Sequence, residues 1–277
     1  MVGDEVSPGG APAELTAGLR AGYDAAAQEW AHGPGPMYAE LARVLVAAAP
    51  VPLAGRVVLD LGAGTGVAGR AALAAGARRV ASVDLSEGML RRGGGGRPVV
   101  ADAVALPFRD GCFDLVVAAF CLNHLGSLAA GLAEARRVGA SIAASTFAAG
   151  WAHPAKEAVD DTVRSFGYRP PAWHAILAPG SRASDPQVLA RCAAAAGFTR
   201  VQARITAVPT KLATAAELVS WRLGMPHIAP FMRSLDEPRR AAVRSAAVQA
   251  VQAVQAEAAT SGRELPLVVS MVVLTAS

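Results

Sequence analysis

Short runs of branched apolar residues, each closed by an acid or a turn, alternate with helical periodicity along the first half of this chain. Val57-Val58-Leu59, Arg79 to Val83, Pro98 to Ala101 and Phe113 to Phe120 read as four buried parallel strands. Helical stretches lie between them: Val67 to Ala77, a short helix that Ser86 starts as N-cap, and Leu125 to Val138. Ser141 to Phe147 follows as a fifth strand. Upstream, Glu14 to Trp30 carries Leu15, Leu19, Tyr23 and Ala26 on roughly one face, His32 to Pro36 breaks the pattern, and Met37 to Ala48 resumes it. Downstream, Asp185-Pro186-Gln187 opens a helix that Gly197 ends, Thr199 to Val208 reads as strand six, and Leu265 to Thr275 as the last strand. The alternation predicts an α/β chain with a doubly wound sheet of seven strands.

Two stretches interrupt the alternation. From Gly150 to about residue 185 the chain carries Trp151, His153, Trp173 and His174 among Pro170-Pro171 and Pro179-Gly180. This is a poor helix or strand pattern and a good lid or pocket wall. Thr214 to Gly262 holds Trp221, Met225, His227, Phe231 and Met232, then a long Ala/Val/Gln helix whose period-three run Val248 to Ala256 reads as helix surface and edge. The expected organisation is a disordered tail at 1–12, an N-terminal helical cap at 13–50, and a core at 51–277 with lid insertions at about 150–185 and 213–262. Gly93 to Gly96 reads as a flexible joint before strand three.

Composition narrows the class. The hydrophobic share, 53%, is ample for a core, and much of it is alanine, which favours closely packed helices. Heavy Ala, Gly and Arg usage fits a GC-rich bacterial genome. The net charge of +4 comes from 26 basic and 22 acidic residues, with the basic ones only in scattered doublets, so no nucleic acid partner is expected. Cys112, Cys121 and Cys192 have neither disulfide nor zinc spacing and read as buried hydrophobes; no metal site is expected. With no long uncharged apolar run and an acidic, Pro/Gly-rich start, the chain reads as soluble and cytoplasmic, with no membrane partner. Its oligomeric state is not legible.

The turn after the first strand carries the chemistry. Asp60-Leu61-Gly62-Ala63-Gly64-Thr65-Gly66 closes a buried strand with an acid and then exposes bare peptide groups, which lie flat against a ligand where a Cβ would intrude. Gly64 to Gly69 also satisfies the G-x-G-x-x-G dinucleotide pattern. Asp84, at the end of the second strand, is placed to accept both ribose hydroxyls of a nucleoside, or else is an acid at the start of the next helix. Leu85 and Met89 either pack on an adenine face or belong to the core. Asp102 is placed to accept from an adenine amino group, with the Ala103 N–H meeting a ring nitrogen. A dinucleotide site has no general need of this second acid or of the Leu106-Pro107-Phe108 loop.

Taken in order, Asp60 to Gly66, Val83-Asp84-Leu85-Ser86-Glu87-Gly88-Met89-Leu90, Asp102 to Phe108 and Phe113-Asp114-Leu115-Val116 resemble the motif set of class I S-adenosylmethionine-dependent methyltransferases. The small-molecule branch related to the ubiquinone/menaquinone-biosynthesis enzymes is the most similar. The resemblance covers roughly residues 55–147. It implies a Rossmann-like sheet of order 3-2-1-4-5-7-6 with the last strand antiparallel, and S-adenosyl-L-methionine as cofactor. It places Gly62, Ala63 and Gly64 at the amino-acid end of the cofactor, Asp60 near its ammonium, Asp84 on the ribose, Asp102 and Ala103 on the adenine, and Phe120 near the sulfonium. It also implies N-terminal helices over the pocket, with Tyr23 near the methyl group or simply in the core. One departure stands out: the usual Leu-(Arg/Lys)-Pro-Gly-Gly turn before strand five is shortened to Glu134 to Ile142, with Gly139 as the expected helix stop.

Methyl transfer is an in-line displacement in which the protein supplies alignment and a dry pocket. A base is needed only if the acceptor loses a proton. His124, just after strand four, is the sharpest candidate, as base or as helix cap; His153, His174 and His227 rank below it. The insertion aromatics Trp151, Trp173, Trp221 and Phe231, with those three histidines, are expected to wall an apolar or planar small-molecule acceptor, or else to form cap core. The expected activity is methylation of such a metabolite, with natural-product biosynthesis as a setting. Two alternatives stay open: a non-methylating reaction such as cyclisation on the same fold, and an NAD-dependent oxidoreductase.

Overall fold

The computed structural model describes residues 12–177 and 182–277. The expected tail and the Pro179-Gly180 pair lie outside the described residues, except that Pro12 already opens the first helix. Seven strands form one sheet: β1 (Val57–Leu61), β2 (Arg79–Asp84), β3 (Arg97–Val100), β4 (Leu115–Ala119), β5 (Ile142–Phe147), β6 (Gln202–Pro209) and β7 (Val268–Ala276). Their spatial order is β3-β2-β1-β4-β5-β7-β6. β7 runs antiparallel to both neighbours, and the pairs from β3 to β5 are parallel. Order and orientation are those the motif resemblance implied.

The strand period of two splits the core. Val58, Val117, Ala143 and Val273 face one side with α2 (Pro34–Ala47), α3 (Val67–Ala74) and the cap. Leu59, Val116, Ala118, Ile142 and Leu274 face the other with α5 (Leu128–Val138) and α8 (Pro186–Ala195). β1 and β4 are buried on both faces, which explains their unbroken apolar runs. The cap consists of α1 (Pro12–His32), α6 (Pro154–Ser165), α7 (Ala172–Leu177), α9 (Ala215–Leu223), α10 (Ala229–Ser234) and α11 (Glu237–Thr260). α4 (Glu87–Arg91) follows β2, with the Ser86 hydroxyl accepting from the Met89 N–H as expected.

Several local readings need correction. The break between the first two helices is confined to Gly33, because a proline at the start of α2 forfeits only an N–H that has no helical partner anyway. α3 stops at Ala74, with Gly76 in the left-handed region at φ +94°. Gly139 does end α5, but in an extended conformation (φ −129°, ψ 141°) rather than a left-handed cap. Its glycine is required by space: a Cβ there would sit 2.5 Å from Val116 Cγ2. Gly93 to Gly96 is a close-packing element rather than a loose joint, since a Cβ on Gly95 would lie 2.4 Å from the Gly66 carbonyl oxygen. The 150–185 stretch contains a proper helix. Ala155, Val159 and Val163 of α6 recur every fourth residue and are buried, and the His153 ring accepts from the Ala155 N–H at its start. α11 buries Val243, Ala247, Val251 and Ala258, with α6 packed along it.

Candidate active site

The carboxyl ends of β1, β2 and β4 open on a cavity of about 740 Å³, with α1 and α2 closing the opposite side. Gly62 and Gly64 at its floor, and Gly66 just beyond it, all have positive φ, at +67°, +55° and +75°. A Cβ on Gly62 would meet Cys121 Sγ at 2.5 Å, so this backbone lies directly on the chain leaving β4. Burial pushes the Cys121 thiol up, and it stays a protonated, inert packing group.

Asp60 is buried. Its Oδ2 accepts from the Gly69 N–H at 2.7 Å, while Oδ1 has no partner among the described residues. Desolvation raises its pKa to about 7, against the pull of that single N–H. Gly69, the third glycine of the dinucleotide pattern, is fixed by this contact: a Cβ would approach Asp60 Oδ2 to 2.9 Å. Asp84 accepts from Gly64 N–H (2.7 Å) through Oδ2 and from Ser86 N–H (2.8 Å) through Oδ1. Burial raises its pKa, and the two amides oppose that rise. Asp102 Oδ1 accepts from Val104 N–H at 3.1 Å. Each oxygen keeps lone-pair capacity for a ligand hydroxyl or amine. Asp60, Gly62, Ala63, Gly64, Asp84, Leu85, Met89, Asp102, Ala103 and Phe120 all line this one cavity.

Phe120 follows β4 in the left-handed region at φ +55°, a conformation costing an aromatic residue about 1–2 kcal/mol. Its N–H donates to the Ser145 carbonyl, and its ring meets Tyr38 edge-on at 5.1 Å and Phe147 at 4.6 Å. Tyr38 and Trp30, which line the cavity beside it, had no local signal beyond the apolar face of their helices.

Tyr23 and His124 meet across the cavity, 101 residues apart in sequence, with Tyr23 Oη 3.1 Å from His124 Nε2. Burial depresses the His124 pKa to about 4 and holds the Tyr23 phenol well above its ordinary value. At neutral pH the phenol therefore donates to a neutral imidazole, whose Nδ1 is buried without a partner among the described residues. Asp24, one helical residue further on, is a contact that nothing local foretells. Its Oδ1 accepts from Ser86 Oγ (2.6 Å) and Gly88 N–H (2.8 Å), pinning α1 to the loop that holds Asp84.

The seven residues expected to wall the acceptor sit behind the cavity rather than on it. Trp151 stacks on Phe147 at 5.0 Å and donates its Nε1–H to the Val268 carbonyl. His153 caps α6. Trp173 seats against Gly18 and Gly22, where a Cβ on Gly22 would be 2.8 Å from its ring, and lies 6.3 Å from the Tyr23 ring. His174 and His227 stack at 3.7 Å. Trp221 is fully buried, and Phe231 packs on Tyr168 at 5.5 Å. These aromatics form the cap's core and support the cavity wall at one remove.

A doubly wound sheet with a glycine turn, an acid on each of three successive strand ends and a cap closing over them defines a nucleoside-cradling α/β domain. Comparisons with known proteins make the class specific. A profile described as a methyltransferase domain matches residues 59–141. A demethylmenaquinone methyltransferase of Thermobifida fusca is 34% identical over 169 residues, 53% of this chain and 70% of that protein. One from Clavibacter sepedonicus is 44% identical over 106 residues, covering 36% of this chain and 43% of that protein. The chain spans under half the length of several such curated relatives. A solved protein from an antibiotic biosynthesis pathway of Anabaena variabilis shares the fold, with a TM-score of 0.58 at 17% identity over 84% of this chain and 95% of that one. The chain belongs to the methyltransferase family.

Proposed function

We propose that the chain transfers a methyl group from S-adenosylmethionine to a small acceptor with an apolar or planar body. The observation that carries this reading is the orphaned, buried Asp60 Oδ1 at the base of a glycine cradle whose rim bears Asp84 and Asp102. A buried carboxylate oxygen without a partner calls for a donor or a cation, and the cofactor's ammonium is both. Asp84 holds the ribose hydroxyls, Asp102 and the Ala103 N–H hold the adenine, and Gly62 to Gly64 accommodate the amino-acid end. When bound, the cofactor supplies an electrophilic methyl on a positive sulfur that becomes neutral after transfer.

The remaining chemistry belongs to the chain. Phe120 and Tyr38 offer ring faces suited to a sulfonium and exclude water from its surroundings. Tyr23 takes the acceptor's hydroxyl or activated carbon proton at Oη as its own proton passes to His124 Nε2. The imidazole thus gains a positive charge as the sulfur loses one, so the enclosed site keeps a constant net charge. That constancy offsets the penalty that depresses the His124 pKa. Asp102 and the Ala103 N–H on the cavity rim, for which a dinucleotide site has no general need, argue against the nicotinamide reading.

Incubation of the protein with S-adenosylmethionine and a panel of hydroxylated naphthalenes, followed by mass spectrometry, tests the reading. Products heavier by one methylene support it. Consumption of acceptor with no mass change would favour the cyclising alternative.

A further inference from the structure

Between β3 and β4 the chain makes a long connection, residues 101–114, and Ala101 to Val104 at its start line the cavity. Within this turn Asp102 Oδ1 accepts from the Val104 N–H, and the Asp102 carbonyl accepts from the Ala105 N–H, both at 3.1 Å. The turn is anchored on either side. Before it, the Ala101 N–H donates to the Asp84 carbonyl at 3.1 Å. After it, the Leu106 N–H donates to Glu134 Oε2 (2.8 Å) and the Leu106 carbonyl accepts from Arg137 Nη2 (3.0 Å).

Glu134 and Arg137 lie one turn apart on α5 and pair in a bidentate fork, Nε–Oε1 at 2.7 Å and Nη2–Oε2 at 2.8 Å. Arg137 Nη1 donates to the Phe108 carbonyl (2.7 Å) and to Asp110 Oδ1 (2.8 Å). All five N–H groups of the guanidinium are thereby committed, two to Glu134 and three to the connection. Asp110 is 81% exposed and its contact adds little. The two carbonyls matter more, because they fix the backbone itself. The hydrogen bonds from Arg137 hold the Glu134 carboxyl below its ordinary range, so the pair stays ionised at neutral pH.

The same helix face reaches the cavity. Ala130, four residues before Glu134, lines it together with Val104 of the turn. One rigid helix therefore supplies part of the cavity wall and, one turn on, sets the position of the segment that carries Asp102. Neither Glu134 nor Arg137 lines the cavity.

We propose that the Glu134–Arg137 pair positions the turn that recognises the base of the cofactor, holding Asp102 opposite the exocyclic amine of adenine and the Ala103 N–H opposite a ring nitrogen. The assignment of the base rests on the cofactor reading above. Asp84 and the glycine cradle hold the ribose and amino-acid ends without this pair. Its loss should therefore cost discrimination between bases rather than binding at large.

Calorimetry on the full chain with S-adenosylhomocysteine and S-inosylhomocysteine tests it; the second carries an oxo group where adenine has its amine. The wild type is expected to prefer the adenosyl ligand by about tenfold or more. Arg137→Gln should reduce that preference to about twofold, by weakening the adenosyl ligand and leaving the inosyl ligand nearly unchanged. A loss of stability alone would weaken both ligands alike. Arg137→Lys, which keeps the charge without the fork, and Glu134→Gln, whose amide oxygen still accepts from Leu106, should give intermediate preferences and keep the test decisive should Arg137→Gln fail to fold. An unchanged preference in every folded variant would overturn the proposal. Equal affinity of the wild type for the two ligands would overturn it too, by removing Asp102 from the base. Binding of neither ligand by the wild type would instead overturn the cofactor reading on which the proposal stands.

Discussion

The three cradle carboxylates and three polar side chains of the cap reach partners over very different lengths of chain. In the glycine-turn half Asp60 meets Gly69 nine residues on, Asp84 meets Ser86 two on, and Asp102 meets Val104 two on. In the cap Asp160 meets Arg222 62 residues away, His153 meets Pro266 113 away, and Trp151 meets Val268 117 away. The first set closes short loops, so the cradle is shaped largely by its own segment. The second set exists only once the whole fold is assembled. Substitutions in the cradle should therefore cost binding, and substitutions in the cap's ion pair should cost stability.

Gly62→Ala is the hardest test of the cradle. A positive φ and a Cβ 2.5 Å from Cys121 Sγ both oppose it. Cofactor affinity, read by calorimetry, should fall by about 100-fold or more. On the cap side, Arg222→Met strands a buried carboxylate that keeps only Lys156, and urea unfolding should show a loss of about 3 kcal/mol. Adding Asp160→Asn should recover most of that loss, and no recovery would mean that Arg222 acts through packing. His124→Gln should slow turnover by about 100-fold while leaving the cofactor dissociation constant alone; an equal fall in both would make it a structural residue. Asp84→Ala should weaken the cofactor by about 1–3 kcal/mol with little change in melting temperature. The smallest effect concerns pH. Asp60, raised to about 7 by burial, is protonated below that value and then offers no charge to an ammonium. Affinity should drop a few-fold as pH falls from roughly 8 to roughly 6, and the drop should vanish in Asp60→Asn.

The same contrast explains what could be read from the chain alone. The strand order and the place of Phe120 come only with the motif resemblance, whereas the glycine turn, Asp84 and Asp102, which line one cavity, are legible because each sits at a strand end. His124 and Tyr23 were named one by one, but nothing in the sequence announces that their side chains share a hydrogen bond. Asp24 was invisible for the same reason: a mid-helix acid looks solvated until its partner, Ser86, is known. Trp151, Trp173 and Trp221 went astray because an aromatic that walls a cavity and one that backs the wall leave the same trace in sequence. The helix α6 was hidden by its flanks, whose prolines and aromatics outweighed the quiet four-residue spacing of Ala155, Val159 and Val163.

Titration of the full chain with S-adenosylmethionine and, in parallel, with NAD, followed by calorimetry on the wild type and on Gly62→Ala, tests the central claim most directly. The account predicts one S-adenosylmethionine bound per chain, no heat with NAD, and loss of the signal in the alanine variant. Binding of NAD without S-adenosylmethionine, or a Gly62→Ala protein that still binds S-adenosylmethionine at full strength, would contradict it.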